Sequence, residues 1–146
     1  MSESLSMQVF DISASALAAE RTRLAVISQN IANAGVTKGA DGEPYRRHKV
    51  VFRSVLEDEV KRRGGQGGAL PAGAVRVEIA KVPGKFESIK DEGHPHADAH
   101  GMVRMPNVNV IDEMVDMVDA SRTYEANLSA LRTFKQMLAR TLEMTR

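Results

Sequence analysis

The chain has 146 residues, a formal net charge of +1, and 42% hydrophobic but only 4% aromatic residues, with no tryptophan. That length holds one ordinary domain or two small layers, with Met, Leu, Val, Ile and Ala doing most of the packing. The near-neutral balance supplies no bulk field for nucleic acid or anionic membrane, and the absence of cysteine excludes disulfides, thiol catalysis and Cys-ligated zinc. The N-terminus carries Glu3, no early Lys or Arg and no long apolar block, so a secretory signal peptide is not expected. No window reaches the ~18 consecutive apolar residues of a membrane span, and direct membrane insertion is not expected either.

Helix breakers are sharply segregated. All eleven glycines lie between Gly35 and Gly101, and all five prolines between Pro44 and Pro106. Gly costs about 1 kcal/mol and Pro about 3 kcal/mol in a helix interior, so the chain reads as helix (1–34), broken middle (35–106), helix (107–146).

The first helix is expected from about Leu5 to Asn33, roughly 43 Å at 1.5 Å per residue. Phe10, Leu17, Leu24 and Ile31 fall seven apart, Ile27 and Ala14 partly fill a second row, and Gly35 offers a glycine stop. In the middle, Tyr45–Val55 is a strand candidate with a basic start (Arg46, Arg47, His48, Lys49). Val75–Ile79 alternates strictly and is the clearest strand, and Gly101–Met105 is a further short one. Gly64–Gly68 reads as a flexible loop tip within the 57–74 segment.

The last forty residues carry a heptad seam: Val110, Met114, Met117, Ser121, Tyr124, Leu128, Leu131, Lys135, Leu138 and Leu142, broken only at Ser121 and Lys135. Asn109 or Asn107 can cap this helix, and acids crowd its first turns. A seam that narrow suits a partner helix better than a broad core. The expected fold is therefore α+β and mainly helical. Long N- and C-terminal helices pair as an antiparallel coiled coil around a small, loop-rich β insert, and the function lies in assembly.

Chemistry-bearing motifs are sparse. His94, His96, Asp98 and His100 alternate, so an extended backbone would turn them to one side as a weak metal candidate. The competing reading is a solvated polar loop; no H-E-x-x-H motif accompanies it, and no metal or cofactor is expected. The basic run Arg46–Lys49 is offset by Glu57, Asp58 and Glu59, which argues against nucleic-acid binding. No phosphate-binding loop, dinucleotide fingerprint or nucleophile elbow appears, and catalysis is not expected.

Specific strings go further. SQNIANA at Ser28–Ala34 and SRTYEANLSAL at Ser121–Leu131 resemble the N- and C-terminal signatures of the bacterial flagellar axial proteins of the rod and hook. Asp41–Phe52 and Gly101–Met117 are similar to a proximal rod member of that family. The resemblance implies a structural subunit that polymerises helically through its terminal helices around an export channel and transmits torque. It implies export through the flagellar type III apparatus without a cleaved signal. The implied location is the periplasmic rod, and the implied partners are other copies, the remaining proximal and distal rod proteins, and the inner-membrane ring with its adaptor.

Asn30, Asn33, Tyr124, Glu125, Ala126 and Asn127 match the signatures, and Asn30 and Asn33 are expected to bond a neighbouring backbone at the helix exit. With Phe10, Leu17, Leu24, Ile27, Ile31, Met114, Met117, Leu128, Leu131, Leu138 and Leu142, residues Asn30, Asn33, Tyr124 and Asn127 form the expected assembly set. The alternative is a cytosolic helical-hairpin adaptor using the same seams, and a third class is a metal-dependent enzyme at His94–His100.

Overall fold

The computed structural model describes residues 2–54 and 75–144; the expected loop at Gly64–Gly68 and the 57–74 segment lie outside the described residues. In chain order the elements are α1 (Ser2–Ala32), β1 (His48–Ser54), β2 (Val75–Lys81), β3 (Glu87–Lys90), β4 (Met102–Met105) and α2 (Val110–Met144). Strands β1 and β2 form one two-stranded sheet, and β3 and β4 another. No helix among the described residues is long and apolar enough to cross a membrane.

Both helices form where breakers are absent. The start of α2 is a local capping event: Ile111 N–H donates to Asn109 Oδ1 at 3.0 Å, and Glu113 N–H donates to Asn109 O at 3.0 Å. Asn109 is thus the cap. Asn107 instead accepts from Arg47 N–H at 2.8 Å and donates to Val82 O at 3.3 Å. The end of α1 departs from expectation, because Gly35 is not left-handed. The helix is stopped by Asn33, whose Nδ2 donates to Gln29 O at 2.7 Å, and by the tightened bonds Ala34 N–H to Ile31 O and Val36 N–H to Asn33 O. Strand β3 was not expected, since Glu-Ser-Ile-Lys has no alternation signal and is exposed throughout. It forms by pairing antiparallel with β4, Glu87 opposite Met105 and Lys90 opposite Met102.

The chain divides into two compact units, and both helices contribute to each. The first comprises Met1–Thr22, Phe52–Glu78 and Ala120–Arg146. In it Ala19 and Ala120 are buried, and Phe10 meets Phe134 edge-on at a centroid distance of 5.4 Å. Ser15 Oγ accepts from Val75 N–H at 3.1 Å while donating to Ile12 O at 2.7 Å, and Arg53 pairs with Glu78 at 2.9 Å. The second comprises Arg23–Val51 and Ile79–Asp119, with Val26, Ile27, Asn30, Val103 and Glu113 buried.

The helix faces refine the expected seams. Along α2, Met117, Tyr124, Leu131 and Leu138 are half-buried, as one row of the heptad requires. The second row sits one residue earlier than expected. Glu113, Ala120, Asn127 and Phe134 turn inward, whereas Met114 is 54% exposed and Lys135 is exposed. Ser121 and Leu128 lie at the half-buried edge. Apolarity alone points to Met114; a paired carboxylate and an alanine fill the inner row instead. On α1, Phe10, Leu17, Leu24 and Ile31 flank the buried stripe, half-buried, and Ala14 is exposed. Its centre is Ala19, Val26, Ile27 and Asn30.

Candidate functional site

Four hydrogen bonds converge on one asparagine side chain. Asn30 is 1% exposed, two residues before the end of α1. Its Nδ2 donates to His48 O at 2.8 Å and to Glu113 Oε2 at 2.9 Å. Its Oδ1 accepts from His48 N–H at 3.0 Å and from the Tyr45 hydroxyl at 2.9 Å. Two donors and two lone pairs are the full capacity of an amide, so Asn30 is completely satisfied. In effect it replaces a missing strand for the first residue of β1, taking both backbone groups of His48. The helix exit and the strand start are held by a single side chain.

The arrangement extends through Glu113, also 1% exposed. Arg47 Nε donates to Glu113 Oε1, and the same guanidinium reaches Asp116 Oδ2 at 3.1 Å. A buried carboxylate is tolerable only when paired and bonded, and Glu113 has both a cation and an amide donor. Tyr45 also lies 2.8 Å from His48 Nδ1. With the single phenolic proton given to Asn30, His48 Nδ1 must carry its own proton and donate to Tyr45. Burial, with a smaller push from the negative Glu113, raises the Tyr45 hydroxyl above its ordinary pKa. The polar groups of the node are spent on one another. What it can do is fix geometry.

Nearby, Arg46, Arg47 and His48 of the basic run are engaged within the fold. Arg46 lies 4.5 Å from the centroid of Phe86 and donates to Gly84 O at 3.1 Å, while Arg104 covers the same ring at 5.1 Å and pairs with Glu43 at 2.7 Å. The His94–His100 segment is built of turns rather than extended backbone, so its alternation does not align the side chains. His94 Nδ1 accepts from His96 N–H at 3.0 Å, and His96 Nδ1 meets Thr37 Oγ1 at 2.8 Å. Asp98 Oδ1 accepts from His100 N–H at 2.8 Å and Met102 N–H at 2.9 Å, bonds that lower the Asp98 pKa below its ordinary value. No group of three or more His, Cys, Asp or Glu positioned to hold a metal ion occurs among the described residues.

Of the signature residues, Asn30 bonds the backbone at the helix exit, whereas Asn33 bonds its own last turn. Tyr124 and Asn127 are half-buried on the inner face of α2, and Glu125 and Ala126 are exposed. Sequence reasoning missed Glu113 and Tyr45 as site residues, and expected Arg47 only in a basic run and Asn107 only as a cap. The available signal was Glu113 itself, seven residues before Ala120 and four before Met117, an acid placed inside an otherwise inward-facing row.

Two family models match the chain. That of the flagella basal body rod protein covers residues 10–40, and that of the flagellar basal body rod FlgEFG protein C-terminal region covers 99–144. The chain is 42% identical over 140 residues to the flagellar basal-body rod protein FlgC of Salmonella typhimurium, covering 94% of this chain and 96% of that relative. The chain belongs to the FlgC family of flagellar basal-body rod proteins. FlgC of Agrobacterium fabrum is 43% identical over 139 residues (91% and 90% covered), and that of Bacillus subtilis 37% over 145 residues (92% and 94%). The family is one of structural rod proteins, not enzymes. Both buried members of the node fall in matched regions, Asn30 in the first and Glu113 in the second.

Proposed function

We propose that this chain is the rod subunit that polymerises helically through its two terminal helices, forming the proximal drive shaft around the export channel and transmitting torque. Membership of the FlgC family supports the basal-body rod as its place and the rod's other components as its partners. The observation that carries the finer reading is that two helices of 31 and 35 residues bracket the insert, each with one inward face and a long exposed one. Helices of that length exceed what a small insert can cover, and a polymer supplies the missing surface.

The antiparallel pairing of the helices belongs to the same proposal. One contact in each unit supports it: moving up α1 from Phe10 to Asn30, the partner moves back along α2 from Phe134 to Glu113 by almost the same number of residues. The inner-membrane ring, its adaptor and the type III export apparatus are the proposed further partners, with passage to the periplasm as an uncleaved chain. Electron microscopy of isolated basal bodies, at a resolution that traces both helices, tests the reading. Density for α1 and α2 lining a central channel near the membrane ring is expected. A tagged, functional chain that stays in cytosolic extract and is missing from basal bodies would overturn it in favour of an adaptor.

A further inference from the structure

Within the second unit each terminal helix leaves one regular face uncovered. On α2, Ile111, Met114, Val115 and Val118 are 72%, 54%, 57% and 50% exposed. Their i, i+3, i+4, i+7 spacing makes them one continuous apolar ridge, on the side of the helix away from Glu113 and Met117. On α1, Ala25, Ser28, Gln29 and Ala32 have the same spacing, are all exposed, and lie away from Val26, Ile27 and Asn30. One face is a two-turn ridge of large side chains; the other is a two-turn stripe of mostly small ones.

We infer that the α2 ridge of one copy seats on the α1 stripe of the next copy, giving a head-to-tail contact between subunits in the rod. The inference rests on the rod-subunit reading and specifies which faces make the polymer. Shape supports it, because large side chains of one helix pack closely where the facing helix offers small ones. Charge supports it too. Exposed Asp112 borders the ridge, so pairing two ridges would bring like charges together, whereas the stretch Leu24–Thr37 has no charged residue.

Area separates a polymer from a dimer. Four side chains cover at most a few hundred Å² on each partner, below the roughly 800 Å² per partner of a standard stable complex. Such a contact does not hold two free molecules together, so it acts alongside the other contacts each copy makes within the rod. Because the two faces differ and sit on one unit, the contact is heterologous, and repetition generates a filament unless the rotation happens to close a ring.

The chain's lack of cysteine makes the test direct. Cells carrying Ser28→Cys with Met114→Cys as their only copy are grown, basal bodies are isolated and mildly oxidised, and the protein is separated under denaturing, non-reducing conditions. The chain is expected in the basal bodies as a ladder of dimers, trimers and higher multimers that collapses on reduction. Each single variant should run as monomer. A second pair, Ala25→Cys with Val115→Cys, should reproduce the ladder. Chain present in basal bodies with no ladder from either pair overturns this contact and leaves the rod reading standing. Abundant dimer from Met114→Cys alone means ridge meets ridge, and also overturns it. Swimming cells whose basal bodies lack the chain overturn the rod reading itself.

Discussion

Asn30→Ala is the most informative single change. It removes four hydrogen bonds from a side chain that is 1% exposed, but the four partners are not equally harmed. Glu113 keeps Arg47, and Tyr45 keeps His48 Nδ1. The backbone N–H and C=O of His48 lose the partner that Asn30 gave each of them. At about 1–3 kcal/mol for each buried group left unsatisfied, the expected loss is about 2–6 kcal/mol. Small domains are stable by only ~5–15 kcal/mol, so the variant should be severely weakened. The assay is urea unfolding of the purified full chain followed by helical circular dichroism, with the midpoint falling and the slope unchanged. Asn30→Asp sharpens it. That variant keeps the acceptor but sets a second carboxylate against Glu113, so it should be at least as damaged near neutral pH and partly recover as the new acid is protonated. A loss below about 1 kcal/mol for Asn30→Ala would falsify the claim that this amide holds the helix exit.

Other outcomes follow from the same geometry. Glu113→Gln should cost about 2–4 kcal/mol because it strips the buried partner from Arg47, whereas Asp116→Asn, at a carboxylate 42% exposed, should cost under about 1 kcal/mol; equal losses in denaturant titrations would contradict the ranking. Tyr45 favours its neutral form in the fold, so its contribution is fully present below the ordinary pKa of 10.0 and declines as pH rises through the raised folded value. Tyr45 should therefore ionise late in an absorbance titration, and Tyr45→Phe should remove that late phase. Phe134→Ala should destabilise the first unit by about 2–4 kcal/mol through lost burial and the edge contact with Phe10, while Lys135→Ala changes little; the reverse order would restore the expected seam. Gly101→Ala should cost about 1–2 kcal/mol, since Gly101 has φ of 72° and an added Cβ would lie 2.5 Å from Glu92 Cγ.

Much of this protein is written in local physics. Segregation of Gly and Pro determined where the two helices run, because breaker costs act residue by residue and need no partner. The alternation Val75–Ile79 determined β2 in the same way, and short strings at Ser28–Ala34 and Ser121–Leu131 pointed to the family. Tertiary structure decided what patterning by apolarity misreads. It placed Glu113 and Ala120 in the inner row of α2 and left Met114 outside, because a carboxylate with Arg47 and Asn30 beside it is buried at acceptable cost, and no one-dimensional pattern contains those partners. It made β3 from a segment with no strand signal, since pairing with β4 satisfies the backbone there. It also folded His94–His100 into turns, so that His94 and His96 lie ring to ring at 5.3 Å but, among the described residues, no three of the cluster's His and Asp side chains are placed to share a metal. Periodicity could say that each helix has faces. Which face turns inward depends on side chains far away in sequence, and only the folded chain brings those together.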